Sequence, residues 1–396
     1  MAYTLTLEQV DFLTSSRAQA ALEALRGMDL GETELLHRLT ELRQSFVPAE
    51  AGALLGQALL QQRAAAKFLD ADRLLFTEEA LEQASTHEVA RYRAERFGRY
   101  RCVADLGCGI GADTLALAEV VPEVIAVERD PVRAQLTTLN AAARGLAHKV
   151  RVLCGDWTQM TLPVEAAFAD PSRRHGERRV FGLHQMEPPI SAVLHLLNQV
   201  PDVAVKVAPG VQHDEVPSEA EVEFISERGA LKEALLAFGG LRSGVRWRAT
   251  LLPGRHHLEA SAPPGSGPAR QPGAYLYEPD PAVLRAGLVT VLADQIGAEQ
   301  IDSTIAYLTS DIITPTLWAR VWRVERHGSF HLKTLRRWVR ETGAGEVIVK
   351  KRGSPIDTDA FRRRLPTTLG GPCVTVFLTR SLGRPWMVLG AEIKEP

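Results

Sequence analysis

The sequence predicts an α/β protein built on a parallel sheet, with helices before the sheet and a smaller α+β domain after it. Three observations lead to this prediction. Leucine and alanine residues recur at helical spacing through residues 1–98. Apolar runs alternate with helical runs over 99–252, which is typical of a parallel sheet with crossover helices. A second strand and helix pattern, over 274–396, follows a proline- and glycine-rich stretch.

The composition is typical of a globular protein with more than one domain. Of the 396 residues, 45% are hydrophobic and 24% are charged, and this length exceeds that of a single ordinary core. No uncharged apolar run of about 18 residues is found, so no membrane span is expected. The first residues lack a basic segment followed by an apolar one, which favours a cytoplasmic protein. The four cysteines have no C-x-x-C spacing, which favours core residues over disulfides or a metal site.

The first domain, residues 1–98, is predicted to consist of helices. Four helices are predicted to begin near Thr6, Gly31, Pro48 and Thr86. The first is predicted to continue to Gly27, and the last leads directly into the first strand. The polar stretch 77–86 is interpreted either as part of a lid over the binding site or as a helix-capping loop.

The most informative stretch lies at residues 103–113, where an apolar run ends in three closely spaced glycines. Gly107, Gly109 and Gly111 precede a helical run, so a strand, a tight turn and a helix N-terminus are predicted. Glycines permit a sharp turn with positive φ and allow a ligand to approach the backbone. A nucleotide-like ligand is expected at such a strand end in an open parallel sheet.

Acidic residues at the ends of three successive strands indicate which ligand this is. Asp105 precedes the first glycine, where a carboxylate can accept hydrogen bonds from an ammonium group. Glu128 ends the second strand, where an acid accepts hydrogen bonds from ribose hydroxyls. Asp156 follows the third strand and suits an adenine amino group, and either Trp157 or Ile110 suits the adenine ring. The pattern describes an S-adenosylmethionine pocket better than a dinucleotide site, which would have G-x-G-x-x-G. The predicted cofactor residues are Asp105, Gly107, Gly109, Gly111, Glu128, Arg129, Asp156 and Trp157.

The fourth strand ends in Asp170-Pro-Ser-Arg-Arg174. Functional residues collect at the carboxyl ends of parallel strands, so Asp170 is expected beside the cofactor. The run is similar to the Asp/Asn-Pro-Pro-aromatic motif of many base-methylating enzymes in its acid and first proline, but it lacks the second proline and the aromatic residue. Asp170 is therefore predicted to orient the nucleophile, and Pro171, Arg173 and Arg174 to contact the substrate, the arginines through a phosphate or carboxylate. In the alternative, Asp170 caps the loop and the arginines pair with nearby acids.

The pattern is less regular beyond the fourth strand. The fifth strand, 203–207, carries Lys206, which is predicted to lie at the pocket edge or in an ion pair. Strands are predicted over 221–226 and 245–252, whereas 231–238 suits a helix or a strand. Residues 253–273, including the adjacent His256 and His257, are predicted to form a linker.

Residues 274–396 are predicted to form a small α+β sandwich of ferredoxin-like type. A helix is expected from Asp280 to about Ile296. The remaining predicted elements are a strand at 318–325, a helix at 332–341, a strand at 346–351, a helix at 357–365 and a hairpin of 373–379 with 386–391.

Charge is unevenly distributed along this chain of formal net charge −2. Residues 1–95 contain 15 acidic and 9 basic residues, whereas 320–396 contain 16 basic and 7 acidic residues. A basic C-terminal domain is predicted to meet a polyanion, and charge alone supports no more than contact with backbone phosphates. A solvated basic face without a partner is the alternative. The basic positions on predicted helices and strand ends are Arg336, Arg337, Arg340, Lys350, Lys351, Arg352, Arg362, Arg363 and Arg364.

Four motifs together are similar to those of a known family. They are Asp105-Leu-Gly-Cys-Gly-Ile-Gly111, Ala169-Asp-Pro-Ser-Arg-Arg174, Val205-Lys-Val-Ala-Pro-Gly210 and Val349-Lys-Lys-Arg-Gly353. The sequence resembles, over most of its length, bacterial class I S-adenosylmethionine-dependent methyltransferases with a THUMP-like, ferredoxin-type C-terminal domain. The resemblance implies a Rossmann-like sheet. A further likeness to trimethylguanosine-synthase-type enzymes implies an RNA acceptor, such as tRNA or rRNA, bound through the basic C-terminal domain. Two alternatives stay open: a methyltransferase of a small molecule or protein, and a non-catalytic RNA-binding or assembly protein.

Overall fold

The computed structural model describes residues 5–172, 174–175, 178–179, 182–261, 265 and 267–393. They divide into two compact units. The first unit contains residues up to 220 together with 234–243, and the second contains 221–233 together with the residues from 244 onward. Within the described residues, no helix is long and apolar enough to cross a membrane.

The described residues contain the following helices and strands. The helices are α1 (Leu7–Leu13), α2 (Ser16–Leu25), α3 (Glu32–Leu42), α4 (Pro48–Ala64), α5 (Glu78–Gln83), α6 (His87–Ala94), α7 (Ala112–Val120), α8 (Pro131–Ala143), α9 (Ile190–Leu196), α10 (Pro281–Arg285), α11 (Val289–Ile296), α12 (Leu332–Glu341) and α13 (Thr358–Arg362). The strands are β1 (Cys102–Leu106), β2 (Glu123–Glu128), β3 (Val150–Cys154), β4 (Ala166–Ala169), β5 (Arg174–His175), β6 (Arg178–Arg179), β7 (Asp202–Val207), β8 (Glu221–Glu227), β9 (Ala230–Ala237), β10 (Trp247–Leu252), β11 (His256–Ala260), β12 (Tyr275–Pro279), β13 (Glu299–Asp302), β14 (Ile305–Ser310), β15 (Ala319–Ser329), β16 (Glu346–Lys351), β17 (Cys373–Ser381) and β18 (Arg384–Ile393).

The N-terminal helices begin where the sequence provides capping side chains. Thr6 and Thr86 accept hydrogen bonds from backbone N–H groups at the starts of α1 and α6. The prediction of one continuous first helix was wrong, because the Ser15 hydroxyl accepts from the Ala18 N–H group and starts α2. The polar stretch 77–86 contains α5, which is capped by Thr77.

The first unit contains the predicted Rossmann-like sheet. Strands β1, β2, β3, β4 and β7 are parallel and lie in the order β7-β4-β1-β2-β3. Residues 234–237 of β9 add an antiparallel neighbour to β7, so 231–238 is a strand rather than a helix. This order places the carboxyl ends of β1, β2, β3 and β4 along one edge, where the glycines and acids lie.

The N-terminal helices share a core with the turn after β1 and with α8. Leu54 of α4 and Phe76 belong to the same buried cluster as Ile110 and Leu136. The side chain of Asn140 in α8 bonds the Leu75 N–H group and carbonyl and the Ile110 carbonyl at 2.8–3.0 Å. Because this amide is buried and fully engaged, it fixes the helical segment against the glycine turn.

The second unit has a larger sheet than the predicted ferredoxin-like sandwich. Its α+β character is confirmed, and its seven strands lie in the order β13-β14-β12-β15-β18-β17-β16. Strands β12, β13 and β14 were missed. Strand β12 pairs with distant segments, since Tyr275 lies opposite both Ser310 and Arg323, whereas β13 has only four residues and forms a hairpin with β14. The predicted helix over 280–296 is instead α10 and α11, separated by Gly287 with φ 71°.

The linker prediction was wrong for His256–Ala260. These residues form β11, which is antiparallel to β10 within the second unit. Leu258 is buried in this strand, whereas the two histidines are exposed. The proline- and glycine-rich flanks concealed a strand of five residues.

Both helices α12 and α13 pack on the same face of the seven-stranded sheet. Leu335, Val339 and Phe361 join a cluster with Val376 and Leu389. The opposite face has its own cluster, which contains Trp322 and Phe377. The outward sides of α12 and α13 are therefore left to polar and charged residues.

Candidate cofactor and acceptor site

Three glycines shape the turn between β1 and α7. Gly107, Gly109 and Gly111 have φ values of 83°, 59° and 88°, which are strained for other residues. A Cβ atom at Gly107 would lie 3.0 Å from the carbonyl oxygen of Asp170, whereas one at Gly109 would meet no atom within 4 Å. Because Gly107 has no side chain, the end of β4 can lie against the turn. Gly109 leaves open space beside the backbone.

Asp105 is a completely buried carboxyl group at the end of β1. The Thr114 hydroxyl donates to Oδ2 at 2.5 Å, while Oδ1 has no hydrogen-bond partner among the described residues. Burial raises the pKa of Asp105 to about 8, and the negative charges of Asp113 and Asp170 act in the same direction. A buried acceptor without a donor is costly, so this site suits a ligand that brings a cationic donor.

Glu128 lies across the glycine turn from Asp105, at the end of β2. Its Oε2 accepts from the Gly109 N–H group and its Oε1 from the Asp130 N–H group, both at 2.9 Å. The carboxylate is mostly buried, and these bonds fix its orientation. Each carboxylate oxygen has a second lone pair, so the group can still accept hydrogen bonds from a diol.

Asp156 and Trp157 lie at the end of β3, on the same edge of the sheet. Asp156 Oδ1 accepts from the N–H group and the hydroxyl of Thr158, at 2.9 and 2.8 Å. This bonding starts a short 3-10 helix in which Trp157 is buried. The acid is exposed, so it can also bond a ligand at this edge.

Arg129 has a different environment from the other predicted cofactor residues. Its side chain is 66% exposed and pairs with Glu187 at 2.6 Å. The backbone of Glu187 in turn forms two hydrogen bonds with Ser172, at 2.8 and 2.9 Å. Arg129 is thus connected to the loop after β4 rather than to the other predicted cofactor residues, and its role towards the cofactor stays a prediction.

Asp170 begins the loop after β4 and faces a buried lysine. Its backbone N–H group continues the sheet by donating to Leu106 at 3.0 Å. Its Oδ2 lies 2.6 Å from the ammonium of Lys206, so the predicted pairing of this lysine is observed. Pro171 is buried beside it.

The two predicted substrate arginines cannot be assigned a contact. Arg173 lies outside the described residues, and Arg174 begins β5, which is antiparallel to β6. Their predicted role in holding a phosphate or carboxylate stays a prediction.

Sequence reasoning missed Arg93, which is 2% exposed and lies behind the site. Its guanidinium pairs with Asp113, donates to the Ser85 hydroxyl at 2.8 Å and stacks on Phe168 with 4.7 Å to the ring centroid. The signal in the sequence was an arginine among the apolar residues of a helix face. Its partners are distant in sequence, so pattern alone could not place it.

Two parts of the chain match family models. Residues 100–199 match the RNA cap guanine-N2 methyltransferase family, and 319–392 match the THUMP domain-like family. A methyltransferase candidate from Porphyromonas gingivalis W83 has a similar fold, with a TM-score of 0.73 and 20% identity over 93% of this chain and all of that one.

The buried acid, the glycine turn and the acids at the next strand ends lie along the edge where the sequence predicts an S-adenosylmethionine pocket. The curated relatives agree: proteins of two Mycobacterium tuberculosis strains, both described as uncharacterized S-adenosylmethionine-dependent methyltransferases, are 36% identical over 340 residues. The match covers 83% of this chain and 92% of each relative. The chain belongs to this family of S-adenosylmethionine-dependent methyltransferases, with a THUMP-like domain in its C-terminal part.

Proposed function

We propose that this protein methylates RNA, with Asp105 and Glu128 holding the cofactor and Asp170 orienting the acceptor. The match of residues 100–199 to guanine-N2 methyltransferases supports an amine of a base as the acceptor. The THUMP-like match over 319–392 supports RNA as the molecule that carries it.

One observation carries the placement of the cofactor: an oxygen of the buried Asp105 carboxyl group has no hydrogen-bond partner within the part of the chain that the structure describes. The α-ammonium of S-adenosylmethionine is a cationic donor that would complete it. Glu128, already fixed by two backbone N–H groups, would accept from the ribose hydroxyls. Asp156 and Trp157 would contact the adenine. When bound, S-adenosylmethionine supplies an electrophilic methyl group on a sulfonium and leaves as a neutral thioether.

The acceptor side depends on Asp170. Its side chain is 23% exposed, so a substrate can reach it, and Lys206 engages only Oδ2. The other oxygen can accept a hydrogen bond from an N–H group of the acceptor and aim the nitrogen lone pair at the methyl carbon. A new C–N bond then forms as the S–C bond breaks, and the nitrogen loses one proton to the carboxylate or to water.

The exposed sides of α12 and α13 support an RNA partner. The two helices lie on one face of the sheet, and the Phe330 and Phe361 rings at their ends are 6.1 Å apart. Both helices carry exposed cations, which can replace the counterions of a phosphate backbone. These cations are Lys333, Arg336, Arg337, Arg340, Arg362, Arg363 and Arg364. We name them the α12–α13 basic surface.

The proposal is tested in two steps with the full-length protein. Calorimetric titration should detect binding of S-adenosylmethionine and no binding of NAD, because the turn lacks a pyrophosphate-binding pattern. The protein is then incubated with radiolabelled S-adenosylmethionine and total RNA from a strain that lacks the gene. We expect label in RNA from the deletion strain and much less in wild-type RNA, whose sites are already methylated.

The variant Asp170→Asn separates the two halves of the proposal. It should bind S-adenosylmethionine as the wild type does and transfer methyl groups at least tenfold more slowly. Binding of the cofactor without label in any RNA would reject the RNA acceptor. Full activity of Asp170→Asn would reject the role of this carboxylate.

A further inference from the structure

Lys206 is a buried cation in contact with the proposed acceptor carboxylate. It lies on β7, is 4% exposed, and its ammonium is 2.6 Å from Asp170 Oδ2 and 3.5 Å from the carbonyl oxygen of Gln83. Gln83 is the last residue of α5. The ammonium therefore connects the acceptor loop, the sheet and the helical segment that precedes the sheet.

We infer that Lys206 is a positioning residue, which holds the Asp170 side chain in the orientation that presents Oδ1 to the acceptor. This inference rests on the proposed function and adds a residue to it. The pair is asymmetric: the lysine is almost completely buried, while 23% of the aspartate side chain remains exposed. Lys206 thus holds the carboxylate from the protein interior, while the aspartate side chain remains accessible from the solvent.

The residues on either side of Gln83 are held in place by a second lysine, which bonds the carbonyls of Leu81, Glu82 and Ala84. The Lys67 ammonium donates to these three carbonyl oxygens, at the end of α5 and just after it, at 2.7, 2.9 and 2.9 Å. Two residues beyond Gln83, the Ser85 hydroxyl accepts from the buried Arg93. These bonds fix the segment 81–85. The Gln83 carbonyl of this segment can therefore hold the Lys206 ammonium, which in turn bonds Asp170.

Stability alone does not account for this pair. Removing an ammonium from water is costly, and an apolar residue of similar volume often serves as well in a protein interior. The charge of Lys206 does provide one thing that a methionine could not, namely a fixed hydrogen-bond donor for Asp170 Oδ2. Misplacement of a reacting group by about 1 Å can lower a rate by about 100-fold, so fixing this carboxylate is of direct use to transfer.

The test compares Lys206→Met, Lys206→Arg and the matched control Lys149→Met. Lys149 is a second partly buried lysine whose ammonium donates to the backbone carbonyls of Ala118 and Val121, away from Asp170. With RNA from the deletion strain as acceptor, Lys206→Met should lower kcat about 100-fold with little change in KM. Lys206→Arg should recover part of this loss, and Lys149→Met should transfer at the wild-type rate. All three should bind S-adenosylmethionine within about threefold of the wild type in calorimetry.

A second measurement does not depend on the acceptor. A buried, ion-paired ammonium exchanges its protons slowly, so Lys206 should give a side-chain ¹⁵N-ammonium resonance that is lost in Lys206→Met and shifted in Asp170→Asn. If the wild type labels no RNA, the proposed function fails, and the inference is then decided by this resonance alone. A resonance that Asp170→Asn leaves unchanged would overturn the inference, as would wild-type transfer by Lys206→Met.

Discussion

At the scale of single residues, Asp105 has an environment that disfavours its own charge. The carboxyl group is fully buried, and its neighbours include the acids Asp113 and Asp170. Arg93 opposes this effect, but burial is the largest cause of the raised pKa. Such a group is poorly placed for stability and well placed to receive a cationic ligand.

The raised pKa of Asp105 predicts a pH dependence of cofactor binding. Because this pKa is raised to about 8, the carboxyl group is mostly protonated at pH 6, whereas the cofactor ammonium requires the carboxylate. Affinity for S-adenosylmethionine should therefore rise between pH 6 and 7.5, by up to about tenfold per pH unit. Calorimetry across this pH range measures the affinity. The binding enthalpy, compared between buffers of different ionisation enthalpy, shows whether the carboxyl group releases a proton on binding. A flat profile would contradict the assignment.

The substitution Asp105→Asn should separate binding from stability. The amide keeps the shape and cannot carry a charge, so affinity for S-adenosylmethionine should fall by about 100-fold, the equivalent of a lost charged hydrogen bond of about 3 kcal/mol. The free energy of unfolding of this variant, unlike its affinity, is not expected to fall below that of the wild type at high pH. A folded pKa above the unfolded one means that wild-type stability falls as pH rises from about 4 to 8. The variant should lose this dependence and equal or exceed the wild type above pH 8, as measured by urea unfolding.

At the scale of elements, the turn between β1 and α7 acts as a spacer between the sheet and the acceptor loop. Gly107 lies against the backbone of Asp170, and Gly109 donates its N–H group to Glu128. The turn thereby sets the positions of two proposed functional groups that come from different strands. Residues at this edge were expected from the topology, but the contact with the Asp170 carbonyl was not.

A matched pair of glycine substitutions tests this role. Gly107→Ala introduces positive-φ strain and places a Cβ atom 3.0 Å from the Asp170 carbonyl, whereas Gly145→Ala at the end of α8 introduces the strain alone, with φ 72° and no atom within 4 Å. Both should lose about 1–2 kcal/mol of stability from the backbone. Gly107→Ala should lose about a further 1 kcal/mol and should also slow methyl transfer. Equal behaviour of the two variants in urea unfolding and in the transfer assay would refute the spacer role.

At the scale of the whole molecule, the proposed reaction site and the α12–α13 basic surface come from different parts of the chain. The glycine turn and its acids belong to the first unit, while the α12–α13 basic surface belongs to the second. The formal net charge of −2 conceals this division. In the proposed function, the second unit binds the polyanionic acceptor and the first unit transfers the methyl group.

Salt dependence of RNA binding provides the test at this scale. If the α12–α13 basic surface contacts about six phosphates, affinity should fall about 1,000-fold between 50 and 200 mM salt. The double variant Arg336→Glu/Arg340→Glu should reduce both the affinity and the salt slope. Arg43→Glu, at an exposed arginine after α3, should change neither by much. Filter binding with RNA from the deletion strain measures the affinities of the wild type and both variants. An affinity that does not change with salt concentration would show that phosphate contacts are not the main source of binding energy.

Much of this protein is determined by local sequence. The Rossmann-like sheet, the glycine turn and the acids at the strand ends follow from short-range spacing, because strand, turn and helix signals are local and parallel topology gathers their ends at one edge. Capping threonines likewise located the starts of α1 and α6, and a proline at the first helical position located the start of α4. The class of cofactor could be predicted for the same reason.

Only the tertiary structure decided how those residues are held. Three contacts that join different elements became visible only in the folded chain. They are the pair between Asp170 and Lys206, the pair between Arg93 and Asp113, and the bond from the Gly109 N–H group to Glu128. Strand β12 was missed for a related reason, since its pairing partners β14 and β15 are remote in the chain. Burial is also a property of the assembled fold: it makes the Asp105 carboxyl group reluctant to ionise, and no local pattern could have shown it.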